Sequence, residues 1–216
     1  ARSPEPIAIL GAGRTDAGVH ARGMVAHVDL PMSPDEARQL IYRTDRYLPH
    51  DIALYDIRPV REEAHARFSA TSRTYRYYVT LRKDPFQEAR MLRLYFPLDF
   101  DRMNEAAERL KDFTDFTSFS KLHTDVKTNN CRVTEAYWQA GSEEGQWIFT
   151  ITADRFLRNM VRAVVGTLFQ VGKGRLSVED FCAVIEAKDR GQAGSSAPAH
   201  ALYLEQVGYP EDLYLD

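Results

Sequence analysis

Six stretches in which apolar and polar residues alternate are interleaved, in no strict order, with four stretches whose apolar residues recur every three or four positions. A chain carrying both periods must bury one face of a sheet against the apolar stripes of helices. Several alternating stretches follow one another as hairpin-like neighbours, which argues against the strand-helix-strand rhythm of a doubly wound parallel sheet. The expectation is an α+β fold: a mixed, largely antiparallel central sheet shared by two similar subdomains, with helices on one face and a cleft between them. The alternation predicts strands at 24–30, 52–57, 74–81, 133–139, 147–153 and 201–207. Ser33-Pro34-Asp35-Glu36 is a capping box with proline at the first helical position, opening a helix with Ala37, Leu40 and Ile41 on its apolar face. A second helix starts near Asp101 and carries Met103, Ala106, Ala107 and Leu110, and a fourth is opened by Ser177 with Asp180 three residues on. The third joins Met160, Val161, Val164, Val165, Leu168 and Phe169 into one apolar face, with Gly172 as its stop. A weak boundary at Pro97 to Asp101 divides the chain into halves, 1–98 and 99–216.

A chain of 216 residues that is 44% hydrophobic can bury a sizeable core, so disorder is excluded as its main state. Its apolar runs are far shorter than the roughly 20 residues a membrane span needs, and no charged-then-apolar leader opens it, which predicts a cytoplasmic protein with no membrane partner. Cys131 and Cys182 can form neither a disulfide framework nor a four-cysteine zinc site, and are expected to be reduced core residues. A net charge of −3 argues against coating nucleic acid through bulk positive charge. Locally the balance reverses. Residues 67–93 hold Arg67, Arg73, Arg76, Arg82, Lys83, Arg90 and Arg93 against Asp84 and Glu88, and residues 155–175 hold Arg155, Arg158, Arg162, Lys173 and Arg175 with no acid. Arginine, suited to bidentate phosphate contacts, outnumbers lysine 22 to 6. The spacing of Arg155, Arg158 and Arg162 predicts that they share one side of the third helix.

Three glycines in eight residues, Gly11, Gly13 and Gly18, frame the most unusual segment, Gly11-Ala12-Gly13-Arg14-Thr15-Asp16-Ala17-Gly18-Val19-His20-Ala21. A dinucleotide fingerprint would need glycine where Asp16 stands, and a Walker loop would need Lys-Ser or Lys-Thr where Val19 and His20 stand. An aspartate there would also repel a phosphate. The loop instead presents a single carboxylate beside Arg14, fit to act as nucleophile or base if it stays ionised, or else to cap its own turn. His20 and His27 lack a second pair at ligand spacing, so no metal is expected.

The nine residues Gly13 to Ala21 resemble the signature of the TruA family of tRNA pseudouridine synthases. Leu48-Pro49-His50-Asp51-Ile52, Ala66-Arg67-Phe68-Ser69-Ala70 with Tyr75-Arg76-Tyr77, Asp115 to Phe119, Phe156 to Arg162 and Leu202-Tyr203-Leu204 are similar to further family segments, in family order from Gly11 to Pro210. The resemblance implies the pseudouridine synthase fold and an isomerase converting uridine to pseudouridine in the anticodon stem-loop of tRNA, acting without cofactor or metal and as a homodimer. It implies that Asp16 is the catalytic aspartate, Tyr75 the tyrosine stacked on the target base, Arg162 the basic partner of the aspartate, and Arg14 a residue that helps turn the nucleotide out. Arg22, Arg67, Arg73, Arg76, Arg155 and Arg158 are the further expected RNA contacts. Family members usually begin with another strand and helix, with a Tyr-Asp-Gly turn and a Trp-Gln pair, before the aspartate loop. The sequence reaches the loop almost at once, which predicts an open sheet edge and keeps an alternative in play, a non-catalytic RNA-binding fragment of the same fold.

The chemistry of the residues agrees with those roles. Moving a ribosyl group from N1 to C5 of uracil breaks a glycosidic bond while the freed base stays captive. An aspartate could add to the sugar C1′ or to the base C6, or abstract a ribose proton; each route needs an ionised carboxylate. Burial works against ionisation, and a guanidinium at ~4 Å is worth about 4 kcal/mol in its favour at an effective dielectric of 20. A tyrosine face can hold the detached base, since stacking contributes roughly 1–3 kcal/mol per base. The target must first be flipped, at about a few kcal/mol, which arginine contacts to the RNA backbone could offset.

Overall fold

The computed structural model describes residues 6–121 and 128–215. These form two compact units, each assembled from separated pieces of sequence. One comprises the chain up to Gly13, Val25–Ala70 and the segment from Tyr209; the other comprises Arg14–Met24 and Thr71–Gly208.

The first unit holds a two-stranded antiparallel ribbon of β1 (Ile9–Gly11) and β3 (Ala26–Val28), and helix α1 (Pro34–Thr44). The capping box at its start is present in full: the Glu36 amide donates to Ser33 Oγ, and the Ser33 amide donates to Glu36 Oε2 at 2.8 Å. Its apolar face, however, is not packed away. No residue of α1 is buried, and Leu40 is exposed. The strand expected at 52–57 does not form. The Ile52 amide closes a tight turn on the Pro49 carbonyl at 2.9 Å, and Ile52 and Tyr55 stand exposed, so alternation there finds no partner strand to pair with.

The second unit is built on one sheet. Its strands are β2 (His20–Ala21), β4 (Ser72–Thr80), β5 (Leu92–Arg93), β6 (Val133–Ala140), β7 (Gln146–Ala153) and β8 (Leu202–Gly208), ordered β2-β8-β4-β7-β6 with β5 also on β4. β4 runs antiparallel to both β7 and β8, β6 and β7 form an antiparallel hairpin, and only β2–β8 and β4–β5 pair parallel. The sheet is thus mixed and largely antiparallel, as expected. Tyr77 lies opposite Phe149 and Leu202, and Phe149 opposite Trp138, so these side chains share one face. Helices α2 (Phe100–Glu108), α3 (Met160–Gly172) and α4 (Val178–Glu186) complete the core with Met103, Ala106, Val164, Leu168, Phe181 and Ile185. Phe116 and Phe119 are fully buried in it. Cys131 is a core residue too, whereas Cys182 is only half-buried and belongs to the surface of α4.

One detail of α3 differs from expectation. The helix begins at Met160, after Asn159 at φ 67°, so Arg155 and Arg158 precede it and do not share a helical side with Arg162. Its other end is as expected: Gly172 is the last helical residue and lies against Met103, and Gly174 at φ 68° turns the chain away two residues later.

Candidate active site

The Asp16 loop leads directly into β2, and a turn in which the Val19 amide donates to the Asp16 carbonyl at 3.1 Å fixes its tip. Gly18 occupies the left-handed region at φ 81°, which is why glycine is needed there. With its backbone held by this turn, the Asp16 side chain faces arginines rather than its own amides. Arg162 Nη1 donates to Asp16 Oδ2 at 3.1 Å, and Arg158 Nε lies 3.9 Å from Oδ1. The Asp16 and Arg162 side chains are 24% and 22% exposed, so water screens this pair only in part; Arg158, at 61%, is mostly solvated.

Arg162 reaches the carboxylate from the first turn of α3, and its remaining geometry is set by a neighbouring strap. Its Nε donates to the Ala197 carbonyl at 2.7 Å, and the Ala197 amide returns a bond to the Arg162 carbonyl at 2.9 Å. Only a planar guanidinium can point one N–H at the strap and another at Asp16. Tyr75 of β4 stands edge-on to Phe156, ring centroids 5.2 Å apart. Burial pushes its phenol above the ordinary range, with Arg73 opposing and Asp16 adding to the rise, so the ring is neutral at physiological pH and lies within electrostatic reach of the carboxylate. Asp16, Tyr75, Arg158 and Arg162 are therefore brought together from both halves of the sequence, within the second unit.

The other expected RNA contacts are distributed differently. Arg14 is exposed on the aspartate loop itself. Arg73 Nη1 donates to the Asp154 carbonyl at 2.8 Å, and the Arg155 amide donates to Asp154 Oδ1 at 2.7 Å, placing both beside the segment that carries Arg158. Arg76 alternates with Tyr75 and Tyr77 along β4 and so lies on the sheet face opposite them, where Arg22 meets Tyr78. There they line an open cavity of about 450 Å³ with Tyr78, Arg90 and Tyr203. Arg22 donates to Tyr78 Oη at 3.1 Å and pairs with Glu205 at 3.2 Å. Arg67 belongs to the other compact unit, its guanidinium 5.7 Å from the Phe68 ring. Three contributors escaped the sequence reading: Phe156 behind Tyr75, Asn159 at the start of α3, and the strap of residues 189–198. The run Gly191-Gln192-Ala193-Gly194-Ser195-Ser196-Ala197-Pro198 was the signal for the last, a small-residue segment suited to close packing on a helix. Among the described residues no three or more metal-ligating side chains cluster, and no helix is long and apolar enough to cross a membrane.

Comparison with known proteins decides the lineage. A family model described as tRNA pseudouridine synthase matches residues 106–210. The tRNA pseudouridine synthase A of Porphyromonas gingivalis is 64% identical over 212 residues, covering 98% of this chain and 84% of its own length. The chain belongs to the tRNA pseudouridine synthase A family. The synthase A of Bacteroides fragilis is 54% identical, with 95% of this chain and 81% of the relative covered. That of Streptococcus thermophilus is 37% identical, with 96% and 84% covered. The likeness to synthase A relatives thus spans the aspartate loop as well as the arginine-bearing helix, the two elements that meet at Asp16 and Arg162.

Proposed function

We propose that this chain is a tRNA pseudouridine synthase that isomerises uridine to pseudouridine in the anticodon stem-loop of tRNA, working in the cytoplasm as a homodimer. The observation that carries the reading is the Asp16 carboxylate, held 3.1 Å from Arg162 and faced by Arg158, within electrostatic reach of the half-buried, neutral Tyr75. A relative 64% identical that is named tRNA pseudouridine synthase A supports it.

In this reading Asp16 supplies the carboxylate that the isomerisation requires, by addition at C1′ or C6 or by removal of a ribose proton. Arg162 pairs with it in a site partly withdrawn from water, where opposite charges at ~4 Å interact by about 4 kcal/mol at an effective dielectric of 20. Tyr75 provides the face on which the detached uracil is retained and turned. Arg14 holds the nucleotide out of the RNA stack, and Arg22, Arg67, Arg73, Arg76, Arg155 and Arg158 contact the RNA backbone. The route needs no resident cofactor or metal, because bond cleavage and re-formation are redox-neutral within one nucleoside.

Incubating the purified chain with unmodified tRNA transcript, without nucleotide or divalent ion as reactant, and measuring pseudouridine tests this directly. The wild type is expected to modify the transcript, and Asp16→Ala to bind it without modifying it. Equal binding by both with no pseudouridine from either would establish the RNA-binding fragment instead.

A further inference from the structure

The strap 189–198 joins α4 to β8 and is tied down along its whole length. At its start the Asp189 amide donates to Ser118 Oγ at 2.9 Å, and Lys188 pairs with Asp115 at 2.9 Å. Midway, the Gly194 amide donates to Thr167 Oγ1 at 2.9 Å, and the Ser195 carbonyl packs so closely on α3 that a Cβ on Gly166 would lie 1.8 Å from it. At its end the Tyr77 hydroxyl donates to the Pro198 carbonyl at 3.0 Å. Between these anchors the strap turns on backbone bonds from the Gln192 amide to the Asp189 carbonyl and from the Ala193 amide to the Arg190 carbonyl, with the Gly191 amide donating to Asp189 Oδ1 at 2.8 Å, and one further side chain ties these turns to residues 193–196. Arg190 folds back so that Nη1 donates to the Ala193 and Gly194 carbonyls at 3.3 and 3.2 Å and Nη2 donates to Ser196 Oγ at 3.0 Å. Ser196 Oγ also accepts a 2.6 Å bond from Asn159 Nδ2. Asn159 is the residue at φ 67° that separates Arg158 from α3. The residue after Ser196 is Ala197, whose carbonyl aims the Arg162 guanidinium.

We propose that Arg190 is a positioning residue for the isomerisation: through Ser196 and Asn159 it locks the strap carbonyl that orients Arg162 and the turn that places Arg158, and so sets the arginine pair around Asp16. Arg190 does not touch the carboxylate; it acts through groups that do. The physical reason for an arginine is its fork, which satisfies three acceptors spread over residues 193–196 at once. A lysine keeps the charge but offers one nitrogen. Asn159 makes the same point from the other side, because asparagine tolerates the left-handed region and its amide links that turn to Ser196. This inference rests on the functional reading above.

The test uses Arg190→Lys, Ser196→Ala and Asn159→Gly in the full chain, with wild type and Asp16→Ala as references. Asn159→Gly preserves the left-handed backbone and removes only the amide. Pseudouridine formation is followed under steady state on tRNA transcript, normalised to the folded fraction capable of binding tRNA. Each variant is expected to lower kcat by about tenfold or more while KM stays within about threefold, the pattern of an interaction felt only in the transition state. Combining Arg190→Lys with Ser196→Ala should add little beyond either alone, since both break the same link. A wild-type chain that makes no pseudouridine overturns the functional reading and this inference with it. An active wild type whose three variants keep kcat per folded molecule, losing only thermal stability or tRNA affinity, overturns the inference alone.

Discussion

Replacing Arg162 by lysine isolates geometry from charge at the carboxylate. In the wild type one planar group donates Nε to Ala197 at 2.7 Å and Nη1 to Asp16 at 3.1 Å, in two directions at once. A lysine ammonium has a single nitrogen and can serve Asp16 or the strap, but not both. One hydrogen bond to or from a charged group is lost, worth about 1.5–3 kcal/mol. At about 1.36 kcal/mol per decade this corresponds to a fall of about 10- to 150-fold in the rate of the chemical step. Single-turnover pseudouridine formation, with enzyme in excess over tRNA transcript, reads that step without product release. Binding of tRNA should change by less than about threefold, because Arg162 is directed at Asp16 and the strap and contributes little to RNA affinity. A lysine variant that reacts within about threefold of wild type would refute the reasoning, since charge alone would then suffice and the fork would be incidental.

Other perturbations probe the frame around the site. Gly166→Ala places a Cβ 1.8 Å from the Ser195 carbonyl, backbone against backbone, so the strap must move off α3; a loss of about 1–3 kcal/mol is expected from the urea midpoint, with activity falling more than stability. Tyr77→Phe removes the donor to the Pro198 carbonyl from a fully buried position, at a cost of about 1 kcal/mol and a lowering of Tm by about 2–4 °C in a calorimetric scan. Burial pushes the Cys131 thiol up to about 12, with Arg155 opposing, so at pH 8 it has almost no thiolate; a maleimide reagent should label Cys182 in the native protein and reach Cys131 only when urea is added. Labelling of both at equal rates in the folded state would contradict that assignment.

Where the local signal was strong, the sequence was a sound guide. Both capping boxes start helices as read, because Ser33–Glu36 and Ser177–Asp180 satisfy their own terminal amides without help from the rest of the chain. β4, β6, β7 and β8 lie within a residue or two of their expected bounds, since alternating side chains there meet matching partners. The stretch 52–57 alternates as well, yet forms no strand; pairing is a property of two segments, and one segment cannot report it. The parallel pairings of the short strands β2 and β5 were invisible for the same reason.

Of the site, the residue types and the aspartate loop were legible in one dimension: a lone carboxylate on a glycine-framed turn, arginines in two basic segments, an aromatic strand. Which arginine meets Asp16 was not legible from residue spacing; only the family resemblance named Arg162, which does donate to Asp16 Oδ2 at 3.1 Å. Helical spacing suggested that Arg155, Arg158 and Arg162 act from one surface, but a left-handed Asn159 ends that pattern and sends Arg158 and Arg162 to the carboxylate from different directions. The strap that aims Arg162 is 35 residues further along the chain and carries no conspicuous chemistry of its own. The amino-acid order by itself determined which groups could react and where the two serine-capped helices begin, because those depend on neighbours a few residues apart. The tertiary structure decided how the Arg162 guanidinium is aimed at the carboxylate and what holds it there, because hydrogen-bond directions of a few ångströms are set by backbone segments that meet only when the chain is folded.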